Sequence, residues 1–144
     1  MTPVNPYQQY QQNAVLTADP GRLTLLLYTG AAKFARQAAE ATKKGDVPGA
    51  HQAIVRAQDI VFYLLSTINT ELEVGKNLAS LYDYFYRRLI EANLKKDASI
   101  LDEVGRMLED LSATWKEAVK QAPASGPEGN FNGVPAVSEP ENKR

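Results

Sequence analysis

Only a few residues of this chain have types and neighbours that could do chemistry. His51 is the one histidine, and it falls near the start of a helix where it faces solvent. A carboxylate-bridged metal centre in a helical bundle needs Glu-x-x-His pairs on two helices, whereas the position three residues before His51 is Pro48. A Ser-His-Asp arrangement would have to use the same imidazole, and no nucleophile motif accompanies it. There is no cysteine, hence no thiolate ligand or thiol nucleophile. Outside the C-terminal segment the glycines are scattered singly, so none forms a phosphate-cradling loop. Asp83 stands among Tyr82, Tyr84, Arg87 and Arg88, a set from which acid/base chemistry could be imagined. Its four-residue spacing to Arg87 is that of a surface ion pair. Arg87-Arg88 beside rings could stack on RNA bases, but Asp83 and Glu91 flank the pair at helical spacing and cancel its field. The residues predict no catalysis, no cofactor, no metal and no nucleic acid.

What remains is aromatic surface. Residues 77–93 hold four of the chain's eleven Tyr and Phe side chains. Leu78, Leu81, Tyr82, Phe85, Leu89 and Ala92 recur at three- and four-residue steps, one apolar helical stripe. Tyr84 and Tyr86 fall away from the Phe85 side, where a ring needs a second apolar neighbour or stays wet. Tyr63 is likewise off the seam of its own helix, and Met107 sits in a second row one position round from the main stripe of the last helix. The candidate partner-binding residues are therefore Tyr63, Tyr82, Tyr84, Tyr86 and Met107, with Tyr7, Tyr10 and Leu16 from the N-terminal segment.

Four helices must position these residues. Asp19-Pro20 starts the first, with a capping carboxylate and Pro where no N–H is needed. It runs to Lys44, before Gly45 at the left-handed cap position, and its stripe is Leu23, Leu26, Leu27, Gly30, Phe34, Ala38 and Ala41. Asp46-Val47-Pro48 starts the second, whose seam Ala50, Ile54, Ala57, Val61, Leu64 and Ile68 alternates steps of four and three. Gly75 marks a connection, with Leu72 and Val74 tucked onto the bundle, and the third helix begins near Lys76 and ends at Lys95-Lys96. Asp97 caps the fourth, which carries Leu101, Val104, Leu108, Leu111, Trp115 and Ala118, with Ile100 and Met107 beside them. The pairs Glu40–Lys44, Asp83–Arg87, Glu91–Lys95 and Asp102–Arg106 read as solvated faces. The fold class is all-α, an antiparallel up-down four-helix bundle over residues 19–120.

Two segments flank the bundle. Residues 1–18 contain no charged side chain and set Tyr7, Tyr10, Ala14 and Val15 at helix-like steps. They read either as a frayed lead-in to the first helix or as a partly ordered cap laid on the bundle. Residues 121–144 are broken by proline and glycine and read as a flexible tail, with Phe131 and Val134 as its apolar side chains. Sixteen Lys and Arg against seventeen Asp and Glu leave a net charge of −1, no field for nucleic acid. No apolar run is long enough to span a membrane and no secretory signal opens the chain, so the expected location is the cytoplasm.

The chain resembles the flagellin-specific export chaperone family, FliS, over roughly residues 5–120. The resemblance rests on Tyr7-x-x-Tyr10 with Asn13, Val15, Leu16, Thr17 and Ala18, and on Leu23-Thr24-Leu25-x-Leu27-Tyr28-x-Gly30-Ala31. It continues through Arg56-Ala57-Gln58-Asp59-Ile60, Asn77-Leu78-x-x-Leu81-Tyr82-Asp83-Tyr84 and Arg87-Arg88-Leu89-x-x-Ala92-Asn93 to Leu111-x-x-x-Trp115. Arg56 stands where many relatives have lysine and Phe85 where many have methionine, which keeps charge and bulk. The resemblance implies a cytoplasmic helical bundle that binds the C-terminal segment of new flagellin, prevents its polymerisation and delivers it to the flagellar type III export apparatus. It further implies a client that wraps the bundle, and an N-terminal segment that covers part of the same surface when no client is present. Other flagellar assembly factors are further candidate partners. The competing expectation is a bundle that forms a homodimer or scaffold through its aromatic face.

Overall fold

The structure, a computed structural model, describes residues 20–121. The expected cap segment 1–18, the Asp19 cap and the C-terminal tail from residue 122 lie outside the described residues. The four helices are α1 (Pro20–Lys43), α2 (Val47–Thr67), α3 (Glu73–Lys95) and α4 (Ala98–Gln121). They form an all-α bundle in which α1 packs on α2 and α4, and α3 closes the ring between α2 and α4. Among the described residues there is no strand.

The helix boundaries follow from their end residues. Gly45 takes a φ of 77°, the left-handed conformation that a side chain disfavours. It lets the Asp46 N–H return to the Ala41 carbonyl at 2.8 Å. Asp46 then starts α2 by accepting from the Gly49 N–H at 3.0 Å, with Pro48 in the first turn. Lys96 is left-handed at the end of α3, and the Asp97 carboxylate accepts from the Ser99 N–H and hydroxyl at 2.9 and 2.6 Å. The start of α3 differs from expectation: it begins at Glu73, and Gly75 lies inside its first turn instead of in a connection. A Cβ at Gly75 would stand 1.7 Å from the Asn69 carbonyl oxygen, so the preceding loop folds directly over that turn. Val74 is half exposed, not tucked in.

The α2 seam is buried throughout, from Ala50 to Ile68. On α1 the expected stripe holds at Leu23 and Ala38 and is otherwise displaced. Thr24, Tyr28, Ala31 and Ala35 face the core, while Leu26 is exposed and Leu27 and Phe34 are only partly covered. Alanines on α1 let α2 and α4 come close, so bulk is supplied from opposite, by Ile54, Val61, Leu101 and Leu108.

A polar clasp ties α1 to α4. Arg36 donates through Nε and Nη2 to both Glu109 oxygens (2.9 and 3.0 Å) and through Nη1 to Asp102 at 3.0 Å. Lys43 adds an ion pair to Asp102 at 3.1 Å. Asp102 thus turns to the neighbouring helix, not to Arg106 as its spacing suggested, and Glu40 meets Lys43 at 3.8 Å instead of Lys44. Burial acts to raise the Asp102 pKa, but the bonds from Lys43 and Arg36 outweigh it and hold the carboxyl below its usual range. Gly105 leaves room for the Arg36 stem, since a Cβ there would lie 2.9 Å from Cδ.

Candidate partner-binding surface

The third helix divides its rings among three neighbours. Tyr82 is fully buried, and its hydroxyl meets that of Tyr28 on α1 at 2.6 Å across the bundle. Its expected place on the docking surface is therefore corrected: the ring is core, because Tyr28 supplies a polar partner for its hydroxyl inside. Burial pushes the Tyr28 hydroxyl up to about 12 and raises that of Tyr82 as well, so both stay protonated.

Tyr84 is half-buried between α3 and α4, where its hydroxyl donates to Glu103 at 2.7 Å. That bond raises its pKa. The Arg87 and Arg88 guanidinium groups stand 6.0 and 5.9 Å from its ring centre. Arg88 reaches on to Glu91 and Glu103 at 2.6 and 2.8 Å. The Arg88 bond to Glu103, with the one from Tyr84, holds that carboxyl below the usual carboxylate range. Met107 is partly buried against the core.

Tyr86 turns the other way, toward α2, and packs against Phe62 with ring centres 6.1 Å apart. From there an apolar strip runs along α3 through Ile90 and Leu94, at steps of four residues and about 12 Å in length. Phe62 is 56% exposed, Ile90 39% and Leu94 81%. Near the Leu94 end, Asn93 reaches His51 Nδ1 at 2.9 Å across the α2–α3 groove. Beside the strip, Asp83 pairs with Arg87 at 2.8 Å. Tyr63 is exposed on α2. By helical geometry it lies on the other side of that helix, where Arg56 stands over the Phe34 ring of α1 at 5.7 Å.

The predicted residues are thus brought to different grooves and not to one patch, while Tyr7, Tyr10 and Leu16 lie outside the described residues. Phe62, Ile90 and Leu94 were missed by reading the sequence. The signal was present in the Tyr86–Ile90–Leu94 spacing, which runs parallel to the core stripe and outside it.

Among the described residues, no group of three or more His, Cys, Asp or Glu could hold a metal ion, and no helix is long and apolar enough to cross a membrane. A helical bundle with exposed apolar strips between charges that satisfy one another is a protein-interaction module. The chain belongs to the flagellar protein FliS family, whose sequence model matches residues 3–122. It is similar to the flagellar secretion chaperone FliS of Bacillus subtilis (strain 168), with 43% identity over 116 residues, 81% of this chain and 87% of that protein. It is also similar to FliS of Salmonella typhimurium (strain LT2), 33% identical over 114 residues, 77% of this chain and 84% of that one. The flagellar secretion chaperone FliSB of Pseudomonas aeruginosa is 35% identical over 118 residues, 80% of this chain and 94% of its own length. Membership places the chain among flagellar export chaperones, a chaperone family and not an enzyme family.

Proposed function

We propose that this chain binds the C-terminal segment of flagellin in the cytoplasm, keeps it from polymerising and delivers it to the flagellar type III export apparatus. The observation that carries the reading is the strip of Phe62, Tyr86, Ile90 and Leu94 between α2 and α3, apolar and only partly covered by the bundle itself. Tyr63 on the opposite side of α2 and Tyr84 with Met107 between α3 and α4 offer further contacts to a client that wraps the bundle.

Residues 1–18 act on this reading as a displaceable cover, with Tyr7, Tyr10 and Leu16 set on the aromatic face. Such a cover weakens the client's apparent affinity in proportion to the fraction of molecules uncovered. Residues 19–120 are the binding unit, and residues 121–144 are assigned no part in it.

Calorimetric titration tests the proposal. The full chain forms a one-to-one complex with a flagellin C-terminal fragment and none with flagellin lacking that segment. A stable dimer on sizing at low concentration, with no complex, would instead establish the aromatic face as a homodimer interface.

A further inference from the structure

The two sides of α1 are closed in different ways. Toward α4, polar groups span the groove. Beyond the Arg36 clasp, the Trp115 indole N–H donates to the Gly21 carbonyl at 3.0 Å, and its ring meets that of Tyr28 edge to face, with centres 5.8 Å apart. Toward α2, two contacts set the register of the outer edge. The Arg56 guanidinium stands 5.7 Å from the Phe34 ring centre, and a Cβ on Gly30 would meet Ile60 Cδ1 at 3.4 Å. From the first contact to the second is one turn back along α1 and one turn forward along α2, as in antiparallel helices. One turn further on, Leu26 comes opposite Tyr63, and both are exposed. Phe34 and Ile60 are half-buried. Gly30 has no side chain, so the edge dips there, with a cation at one end and an apolar pair at the other.

That cation is unmatched. Arg36, Arg87 and Arg88 each hold a carboxylate at 3.0 Å or less. Arg56 holds none among the described residues, and its neighbour is the Phe34 ring. Asp59 lies on the far side of α2 from the buried seam and is exposed. A ring engages a guanidinium without consuming its N–H donors.

We propose that this edge docks an apolar segment bearing an aspartate or glutamate, and that the flagellin C-terminal segment supplies it. This rests on the flagellin reading above. An apolar side chain of the client fills the dip over Gly30 and Ile60, flanked by Leu26 and Tyr63. A carboxylate of the same segment then meets Arg56, whose paired donors match both its oxygens. The two levels are one turn apart, about 6 Å, so the carboxylate follows or precedes the apolar residue by one helical turn or two extended residues. Phe34 holds the guanidinium beforehand, which lowers the side-chain entropy lost on binding.

Affinity of the full chain for a flagellin C-terminal fragment, measured at low and high salt, tests the site. Arg56→Gln should weaken binding roughly tenfold, the worth of a charge-assisted hydrogen bond. Arg56→Lys keeps the charge and should retain most of the affinity. The gap between Arg56→Gln and the parent should narrow as salt rises. Melting curves of the three proteins should nearly coincide, because Arg56 is exposed. Changing the fragment's acidic residues to their amides one at a time should find one that matters. Its loss should cost roughly tenfold against the parent and little against Arg56→Gln. Equal affinity of Arg56→Gln and the parent for a fragment that does bind would overturn the site and leave the flagellin reading standing. So would the absence of any carboxylate coupled to Arg56. No complex with any of these proteins would sink the flagellin reading and the site together. A dimer of the full chain that Arg56→Gln dissolves would assign the edge to a second copy and overturn the proposal.

Discussion

The hydroxyls of Tyr28 and Tyr82 meet at 2.6 Å between two helices on opposite sides of the bundle, with both rings fully shielded from water. Each hydroxyl is the other's partner, so the pair has to be removed together or kept together. Tyr28→Phe or Tyr82→Phe alone strands a buried hydroxyl and should cost about 1–3 kcal/mol in urea unfolding. The double Phe variant should cost less than the sum of the two. Additive costs would show that the hydroxyls do not act as a unit.

The same pair sets the alkaline limit of the fold. Burial raises both hydroxyls above the ordinary value of 10, that of Tyr28 to about 12. A raised folded pKa gives stability that is complete below pH 10 and is lost as pH climbs through the folded value. Unfolding should therefore set in between about pH 10 and 12, accompanied by a late rise in tyrosinate absorbance. In Tyr28→Phe that late step should shrink. A rise completed near pH 10 with the fold intact would contradict the shielding of these rings.

Acid acts on the other side of the molecule. Arg36 holds Glu109 below its ordinary value of 4.5, so its contribution is present above that pH and lost as pH falls through the lowered value. Glu109→Gln should lower stability at neutral pH by up to about 1 kcal/mol, since the pair is partly exposed. The gap between variant and parent should close toward pH 3, followed by chemical denaturation across the range. A gap that persists in acid would assign the cost to packing and not to charge.

Gly75 is replaceable only at the expense of the loop before α3. Its missing side chain is where the Asn69 carbonyl stands, at 1.7 Å from the position of a Cβ. Gly75→Ala should destabilise by at least about 1–3 kcal/mol, the usual cost of forced overpacking, in thermal unfolding. Gly30→Ala, whose Cβ would meet only the tip of Ile60 at 3.4 Å, is the control and should cost much less.

The exposed strip should separate binding from folding. Leu94→Ser removes apolar surface that the bundle hardly buries, so stability should move by no more than about 0.5 kcal/mol, whereas Ile90→Ser, at 39% exposure, should cost more. Affinity for the flagellin fragment should fall by roughly tenfold, the equivalent of about 1.4 kcal/mol of lost contact. Unchanged affinity in both variants would move the client to the Tyr63 or Tyr84 grooves.

How far the sequence could be read differed from helix to helix. In α2 only one face carries Ile54, Val61 and Leu64 together, so periodicity alone picked out the buried seam. In α1 it could not. Leu25, Leu26 and Leu27 are consecutive and alanines follow on several faces, so more than one stripe fits the period. The choice was made by Tyr28, whose buried place depends on a hydroxyl 54 residues away. Tyr82 was misplaced for the same reason, as a polar ring looks like surface until its partner is known. Asp102 shows the limit for charges, since spacing offers Arg106 on its own helix and the fold supplies Arg36 and Lys43 from another.

The bond from Trp115 to the Gly21 carbonyl also means that the bundle's first and last turns are neighbours. A short peptide could join them and turn the four helices into a closed ring. The ring could then be cut at the Lys96–Asp97 turn, leaving each helix beside the same partners. Nothing in the packing requires α1 to come first.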